Sequence, residues 1–569
     1  MIEHTQPTEV DVLIVGGGPV GLSAAVALGR LGVTTLLAER HRGTSVHPRG
    51  HIVNTRSMEL LRSWGLESEV GAVAVPAERY RGVIFLTRLA GTELGRIDLR
   101  GDLAHDAEVD RWSPCQKTSC PQDMLEPVLK AAAEKLASAQ VVFGTEVCDL
   151  RQDGERVTAT LRDRESGTSR EVHARYAIAA DGPRGPTREH LNVSMTGPGA
   201  MGNQIGIYFK ADLWRWIENR PYLLWWIYNP DTTGVFIAQD GRFRWTYNFA
   251  YDPTIESAED FSKERCIELI RAAVGAADLE VEVCSVQSWQ MQARLIDRLR
   301  EGSVFFAGDA AHPLPPTGGQ GMNTGLGDIH NLAWKLKLVL DGKAPERFLD
   351  SYNEERRPIA KFNVEQSVRN AEKMAASGLA GMLRNDPEVA QAIEGAEGQT
   401  VRSRLAAAIP AQREHFEYNG QTLDIRYSGQ CVIPDDTAAP AYDVYAYRPH
   451  ASPGSRAPHM WVEGTQGRIS LLDLFGDMHF TLLTTVKRQA YWRAMATDEA
   501  AAKRIDIRVF SVGRGGDLTP IDTDFESVYG LSSTGAVLVR PDGHVAWRLG
   551  APPDTASFKK LMDRIFSIE

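Results

Sequence analysis

A multidomain α/β fold is predicted by three observations. A short β-branched apolar run, DVLIV at 11–15, leads straight into a glycine-rich turn and a small-residue helix. A second apolar run, SVFFA at 303–307, opens into a segment crowded with prolines and glycines, and a helical pattern follows it. Between them, over about 190–290, the pattern changes to the period-two alternation of strands. At 569 residues the chain is too long for one core and is expected to divide into roughly two to four domains.

In chain order, DVLIV reads as a buried parallel strand. GGGPVG follows, with Gly16, Gly18 and Gly21 in G-x-G-x-x-G spacing; LSAAVALGRLG then reads as a helix and VTTLLAER as a second strand ending at Glu39 and Arg40. The first glycine permits the tight turn, the second lets backbone approach a pyrophosphate, and the third lets helix pack on strand. Amides at the helix start face the phosphates. Glu39, eighteen residues past Gly21, is placed to accept from a ribose hydroxyl. The unit specifies an adenine dinucleotide and does not choose between NAD and FAD.

The second half-site is AGDAAHPLPPTGGQGMNTGLGD, 307–328. Asp309 falls just past the carboxyl end of the SVFFA strand, where ligands of open α/β sheets sit. A carboxylate there can accept from sugar-like hydroxyls, and FAD carries a ribityl chain. Pro313, Pro315 and Pro316 stiffen an extended path, and Gly318, Gly319 and Gly321 let backbone lie flat against a ring. A helix is predicted from Met322, with Leu326, Ile329, Ala333, Leu336 and Leu340 as its buried stripe. Its first-turn amides would face the ring and stabilise the negative charge of a reduced flavin. A proline-glycine loop that merely caps a helix is the plainer alternative.

DVLIVGGGPVGLSAAVALGRLG, AIAADG and FFAGDAAHPLPPTGGQGMNTGLGD resemble the dinucleotide turn, Asp-Gly motif and Gly-Asp motif of single-component, class A flavin-dependent aromatic hydroxylases. The similarity covers roughly 10–370. Its phenol and chlorophenol hydroxylase branch is closest, through PRGH and ADLWRWIENRP. The resemblance implies a Rossmann-type FAD-binding domain with an inserted β-sheet substrate domain and a carboxyl-terminal thioredoxin-like α/β domain. It implies that Glu39 and Arg40 serve the adenosine end, that Gly308 and Asp309 hold the ribityl chain, and that Arg49 and Gln122 touch the cofactor. Asp181 and Gly182 would lie near both FAD and NADPH, although DGPRGPTR departs from the family pattern after them. Pro316, Gly319, Gly321, Met322 and Asn323 would line the flavin.

The implied domains are 1–185 for the first part of the FAD domain, with a piece of the substrate sheet near 80–115; 186–289 for that sheet; 290–400 for the rest of the FAD domain; a linker at 401–454; and the thioredoxin-like domain at 455–569. The last cysteine is Cys431, so that final domain has no thiol with which to exchange disulfides. The aromatic wall RWTYNFAY and YLLWWIYNP nominates Trp225, Tyr228 and Tyr247, with Pro315, as substrate contacts, against a core-packing alternative for each. The resemblance places His51, two residues past Arg49, near the flavin, where chlorophenol hydroxylases carry a histidine. It is the candidate base for a phenol proton, because an ordinary imidazole has a pKa close to working pH, against a histidine that merely hydrogen-bonds a neighbouring loop. His312 is expected to be structural.

The formal charge of −11 argues against nucleic acid and anionic membrane. The amino terminus has no secretory pattern and no apolar run reaches membrane-spanning length, so a cytoplasmic protein is expected. Six scattered cysteines give no metal site. The resulting expectation is an FAD-dependent monooxygenase that hydroxylates a phenol ortho to its hydroxyl through a flavin C4a-hydroperoxide. NAD(P)H, preferably NADPH, and O2 would be co-substrates, a small aromatic the partner, and a homodimer the assembly. The alternatives are a hydroxylase of a polycyclic aromatic natural-product intermediate, and a reductase or halogenase on the same scaffold.

Overall fold

The computed structural model describes residues 8–79, 81–101, 103–379, 387–465, 467–476 and 478–566. Its first sheet has a parallel core in the order 304–306, 169–179, 8–15, 35–39, 139–143. The register pairs Val15 with Ala179 and Ala38, and Ala179 with Phe306. The carboxyl ends of four strands therefore line up along one edge, and Gly16, Glu39, Asp181 and Asp309 all lie there. Helix Pro19–Arg30 packs against one end of helix Gly321–Leu340 beside this edge. Phe305 and Phe306 are fully buried, each contributing about 2–3 kcal/mol by its removal from water.

The second sheet runs 282–296, 195–210, 244–251, 233–238, 224–228, 82–86, 93–98. Strands Gly82–Leu86 and Glu93–Asp98 come from the first third of the chain, and Gly82–Leu86 pairs in parallel with Leu224–Tyr228. Strict alternation gives the sheet two different faces. Trp225, Phe236, Trp245, Tyr247 and Phe249 lie on the face that packs against helix Lys263–Val274. Gly206, Tyr208, Thr246 and Asn248 lie on the other. The segment 398–423 is largely helical, and Leu405 and Ile409 pack on Phe85 and Trp226.

The carboxyl-terminal sheet has the order 506–512, 479–485, 536–539, 545–549, its first pair parallel and the others antiparallel. Helices Gln489–Lys503 and Thr555–Ile565 complete a β-α-β then β-β-α succession, the thioredoxin-like arrangement. This domain is not an appendage. Its Phe480 and Phe566 share a core with Trp334 and Phe348, with ring centroids 5.9 Å apart for Trp334–Phe480 and 6.1 Å for Phe348–Phe566.

Helix Gly321–Leu340 differs from its expectation in an instructive way. Leu326, Ile329, Ala333 and Leu336 are buried as the stripe requires, but so are Asp328, Asn331 and Lys335 on other faces. The carboxyl-terminal domain covers the side carrying Asn331 and Lys335, the Gly308–His312 loop and Arg356 cover Asp328, and every one of those polar groups has a partner. Lys335 Nζ donates to Glu355 Oε2 at 2.7 Å and to Asn331 Oδ1 at 2.9 Å. Arg540 donates to both oxygens of Glu355, at 2.6 and 2.8 Å, and to Asp542 Oδ1 at 3.0 Å. Among the described residues, no helix is long and apolar enough to cross a membrane.

Candidate cofactor and substrate site

The glycine turn and the Gly-Asp segment, nearly three hundred residues apart, close on one side chain. A Cβ on Gly308 would stand 2.8 Å from Val20 Cγ2, and one on Gly325 2.4 Å from the same atom. Gly16 has φ +106°, and a Cβ there would meet the Ala180 carbonyl oxygen at 2.4 Å; a Cβ on Gly21 would meet the Gly16 carbonyl oxygen at 1.9 Å. These glycines let backbone pack on backbone. A Cβ on Gly18 would instead meet nothing within 4 Å, so its open side is the approach for a ligand. Neither Pro19–Arg30 nor Gly321–Leu340 has a side-chain cap at its start, which leaves first-turn amides for an anion.

Glu39 ends its strand with both carboxylate oxygens held: Gly17 N–H donates to Oε2 at 2.6 Å and His41 N–H to Oε1 at 2.8 Å. Arg40 is exposed beside it, and its charge acts on Asp181. Burial raises the Asp181 carboxyl, against the hydrogen bond it accepts from Thr187 N–H at 3.2 Å. Gly182 takes φ +81°, which turns the chain after Asp181. Asp309 stays accessible at the floor of a cleft; burial by the surrounding protein raises its carboxyl, with His312 and Arg49 pulling the other way. Its loop is fixed from behind by Asp328, which accepts from Gly308 N–H at 3.1 Å and Arg356 Nε–H at 2.9 Å and pairs with His312 Nε2 at 2.7 Å. His312 is thus a structural residue.

Arg49 is exposed, with its charge felt by His47, Glu126 and Asp309. The structure therefore brings Arg49 to the Asp309 end of the cleft. Gln122 N–H donates to Gly50 O at 2.8 Å, and its side chain donates to Glu126 Oε1 at 2.6 Å, clamping the Arg49 loop to the start of helix Gln122–Glu134. Asn323 is occupied within the protein: it accepts from Asn54 N–H at 2.9 Å and donates to Ile52 O at 2.9 Å and Gly319 O at 2.6 Å. It ties the His51 strand to the Gly319–Met322 turn. Pro316 is exposed on that turn, and Gly319 holds φ +62°. Strand Glu282–Ile296 anchors the proline segment, since Arg294 N–H donates to Pro313 O at 3.0 Å.

The donor set fits FAD. An open glycine cradle and an uncapped helix suit the pyrophosphate, Glu39 the ribose, Asp309 the ribityl hydroxyls, and the Gly319–Met322 turn a flat ring. A family model described as "FAD binding domain" matches residues 9–367, and one described as "Aromatic-ring hydroxylase, C-terminal" matches 450–568. This chain belongs to the class A FAD-dependent aromatic-ring hydroxylases. It is 36% identical to an aklavinone 12-hydroxylase of Streptomyces purpurascens, over 98% of this chain and 99% of that protein. It is 34% identical to a 2,4-dichlorophenol 6-monooxygenase of Delftia acidovorans, over 96% of each. The crystal structure of the flavin-dependent monooxygenase PieE with FAD and substrate superposes with a TM-score of 0.90 at 34% identity, covering 99% of this chain and 100% of that one. The hydroxylase binds FAD and oxidises an aromatic ring.

The aromatic wall is where this hydroxylase departs from its sequence reading. Trp225 and Tyr247 lie on the helix-backed face, buried among Phe236 and Phe249, and the Tyr247 hydroxyl is spent on Thr232 Oγ1 at 2.7 Å. Tyr228 lies under the 398–423 helices and donates to Leu379 O at 3.2 Å. Pro315 is buried in the proline segment. Core packing accounts for the three aromatics, and none presents a free group to the cleft. The facing side of the sheet is polar instead. His47 Nδ1 pairs with Ser285 Oγ at 2.7 Å, and Arg244 bridges Tyr208 Oη at 2.9 Å and the Asp123 carboxylate. The alternation of RWTYNFAY carried that signal in Thr246 and Asn248, the positions between the aromatics.

His51 is also corrected. Its Nδ1 pairs with Ser119 Oγ at 3.2 Å, and burial lowers its pKa from 6.5 to about 4. At neutral pH it is a neutral imidazole that accepts or donates a hydrogen bond.

Proposed function

We propose that the protein inserts one oxygen atom of O2 into a fused-ring hydroxyarene, beside a phenolic hydroxyl, with NAD(P)H as the reductant. The observation that carries this reading is the closure of the two FAD half-sites on Val20, with Arg49 brought beside Asp309 and beside His47 on the polar face of the substrate sheet. A fused-ring substrate is favoured over a small chlorophenol because that face offers small and polar positions, Gly206, Thr246 and Asn248, in place of a tight aromatic slot. The aklavinone hydroxylase among its relatives supports the same reading.

When bound, FAD would supply the reduction by NAD(P)H and the activation of oxygen. Everything else falls to this chain. Glu39, Gly18 and Asp309 would hold the cofactor along its length, and the start of helix Gly321–Leu340 would offset negative charge at the flavin. Arg49 would place a cation over the reacting region. His51, neutral and steadied by Ser119, would orient a phenolic hydroxyl rather than store its proton. The packed strands and the proline segment would exclude water from the ring edge.

The test is to follow NAD(P)H oxidation by the holoenzyme with hydroxyanthraquinones and simple phenols, then to run turnover under oxygen-18. Faster flavin reduction with the fused-ring compounds and label in the new hydroxyl are expected. Absence of label from every aromatic product would overturn the reading.

A further inference from the structure

We propose that His47, Asn248 and Trp289 form an oxygen-binding nook on the substrate sheet, floored by Gly206, which receives a second hydroxyl of the aromatic substrate. This rests on the reading of the cleft given above and adds a determinant of specificity to it.

Gly206 stands in the middle of strand Met195–Lys210, directly opposite Asn248 on one side and Gln287 on the other. Glycine inside a strand weakens it and marks a close approach. Here the closest approach is made by side chains and not by backbone. The three atoms closest to where its Cβ would stand are all polar side-chain atoms from three different elements: Asn248 Oδ1 at 2.9 Å, His47 Nε2 at 3.4 Å and Trp289 Nε1 at 3.7 Å. They converge over Gly206, where any side chain would crowd Asn248 Oδ1.

Two of the three, on His47 and Asn248, are directed there by their other contacts. His47 is 5% exposed, its ring standing edge-on to Tyr208 with centroids 6.2 Å apart, and Ser285 Oγ holds Nδ1. Asn248 Nδ2 turns away toward Thr246 Oγ1 at 3.4 Å, which leaves Oδ1 on the Gly206 side. Thr246 Oγ1 in turn accepts from Gln239 Nε2 at 2.9 Å. The nook thus offers an acceptor at Asn248, a donor at Trp289 and a neutral imidazole nitrogen. A hydroxyl both donates and accepts, so it satisfies the first two at once, and an adjacent carbonyl or ether oxygen can meet the third. His47 precedes Arg49 by two residues, so the nook and the cofactor end of the cleft share one loop.

The experiment measures binding to the FAD-loaded enzyme from the change in flavin absorbance, with 1-hydroxyanthraquinone and 1,8-dihydroxyanthraquinone as probes. The wild type is expected to prefer the dihydroxy compound by about tenfold, the worth of one hydrogen-bonded polar group. Gly206→Ala, which pushes a methyl against Asn248, and Asn248→Leu, which removes the acceptor, are each expected to abolish that preference by weakening the dihydroxy compound more than the monohydroxy one. Retained flavin absorbance shows that the variants are folded. A preference that survives both substitutions overturns the nook. A wild type that binds neither compound overturns the fused-ring reading itself, and the nook as a substrate determinant with it.

Discussion

Arg540 is the side chain on which the attachment of the carboxyl-terminal domain turns. It is fully buried and pairs with Glu355 and Asp542, and Lys335 pairs with the same Glu355; these three side chains are 0–1% exposed. Two cations face two carboxylates, so the cluster is neutral as built. Arg540→Met keeps most of the volume and removes one cation, leaving a net negative charge with no water to relieve it. Breaking a buried pair in this way costs about 3–5 kcal/mol. Amide hydrogen exchange read strand by strand avoids assuming two-state unfolding in a multidomain chain. Where strands His479–Thr485 and Ala536–Val539 exchange through release of this domain, their amides should exchange roughly a hundred- to a few-thousand-fold faster. Arg540→Met with Glu355→Leu leaves Lys335 and Asp542 balanced, so the pair should cost less than the sum of the single changes. Exchange in Arg540→Met within threefold of wild type, or strict additivity of the two, would refute the reasoning.

Three further outcomes are expected. Gly21→Ala forces a methyl against the Gly16 carbonyl, 1.9 Å from the added carbon, so purified protein should lose most of its flavin absorbance per polypeptide; a fully yellow variant would contradict the cradle. His51→Gln should leave the shape of the kcat/KM profile between about pH 6 and 9 unchanged, because an imidazole held at about 4 does not titrate there; an acidic limb that disappears in the variant would restore His51 as a base. Stability should fall as pH drops through two overlapping windows. Partly exposed His330 and buried His544, both lowered from 6.5 to about 3 mainly by the surrounding protein, stay neutral in the fold while the unfolded chain takes up protons below 6.5. Glu59 and Glu355, buried yet lowered from 4.5 to about 2 by Arg456 and by Arg540 with Lys335, stay charged while the unfolded chain protonates below 4.5. Both linkages have the same sign, so the thermal midpoint should decline from near pH 6.5 and fall fastest between 4.5 and 3. A midpoint that holds level from 6.5 to 3 would exclude this account.

The cofactor half of the molecule was legible because its constraints are local. A turn that needs Gly16 and Gly21, a strand that ends at Glu39 and a helix that begins at Gly321 each leave a pattern within about thirty residues. The parallel register that lines their ends along one edge follows from right-handed βαβ connection. The substrate half was read in its elements but not in its orientation. Alternation in RWTYNFAY assigns Trp245, Tyr247 and Phe249 to one face, but only the packing of helix Lys263–Val274 decides which face is core. Large aromatics are conspicuous in a sequence, yet here they pack the core and the polar residues between them lie on the opposite face. His47 carries no signal in the sequence because its significance depends on Ser285 and Gly206, both far along the chain. The lowered His51 pKa is illegible for the same reason, since burial is a property of the fold and not of the spacing.

Helix Gly321–Leu340 explains why a thioredoxin-like domain without cysteines is built into the core of a flavoprotein. Its first turn lies beside the Asp309 loop, where it would face the flavin, its Asp328 fixes that loop through Gly308 and His312, and its Lys335 lies in the charge cluster with Arg540. A helix with Gly321, Gly325 and Gly327 near its start is intrinsically weak there, at roughly 1 kcal/mol per glycine relative to alanine, yet close packing on Val20 and Arg356 leaves no room for larger residues at Gly325 and Gly327. Tertiary packing must therefore hold it in place, and the carboxyl-terminal domain supplies part of that packing through Phe480 against Trp334. Removing the domain would expose Trp334 and Phe348 together with the Lys335–Glu355 pair, and the slackened helix would reach the flavin pocket. A chain ending before residue 455 should therefore lose FAD as well as stability, and one that stayed yellow and soluble would show that the helix stands without its cover.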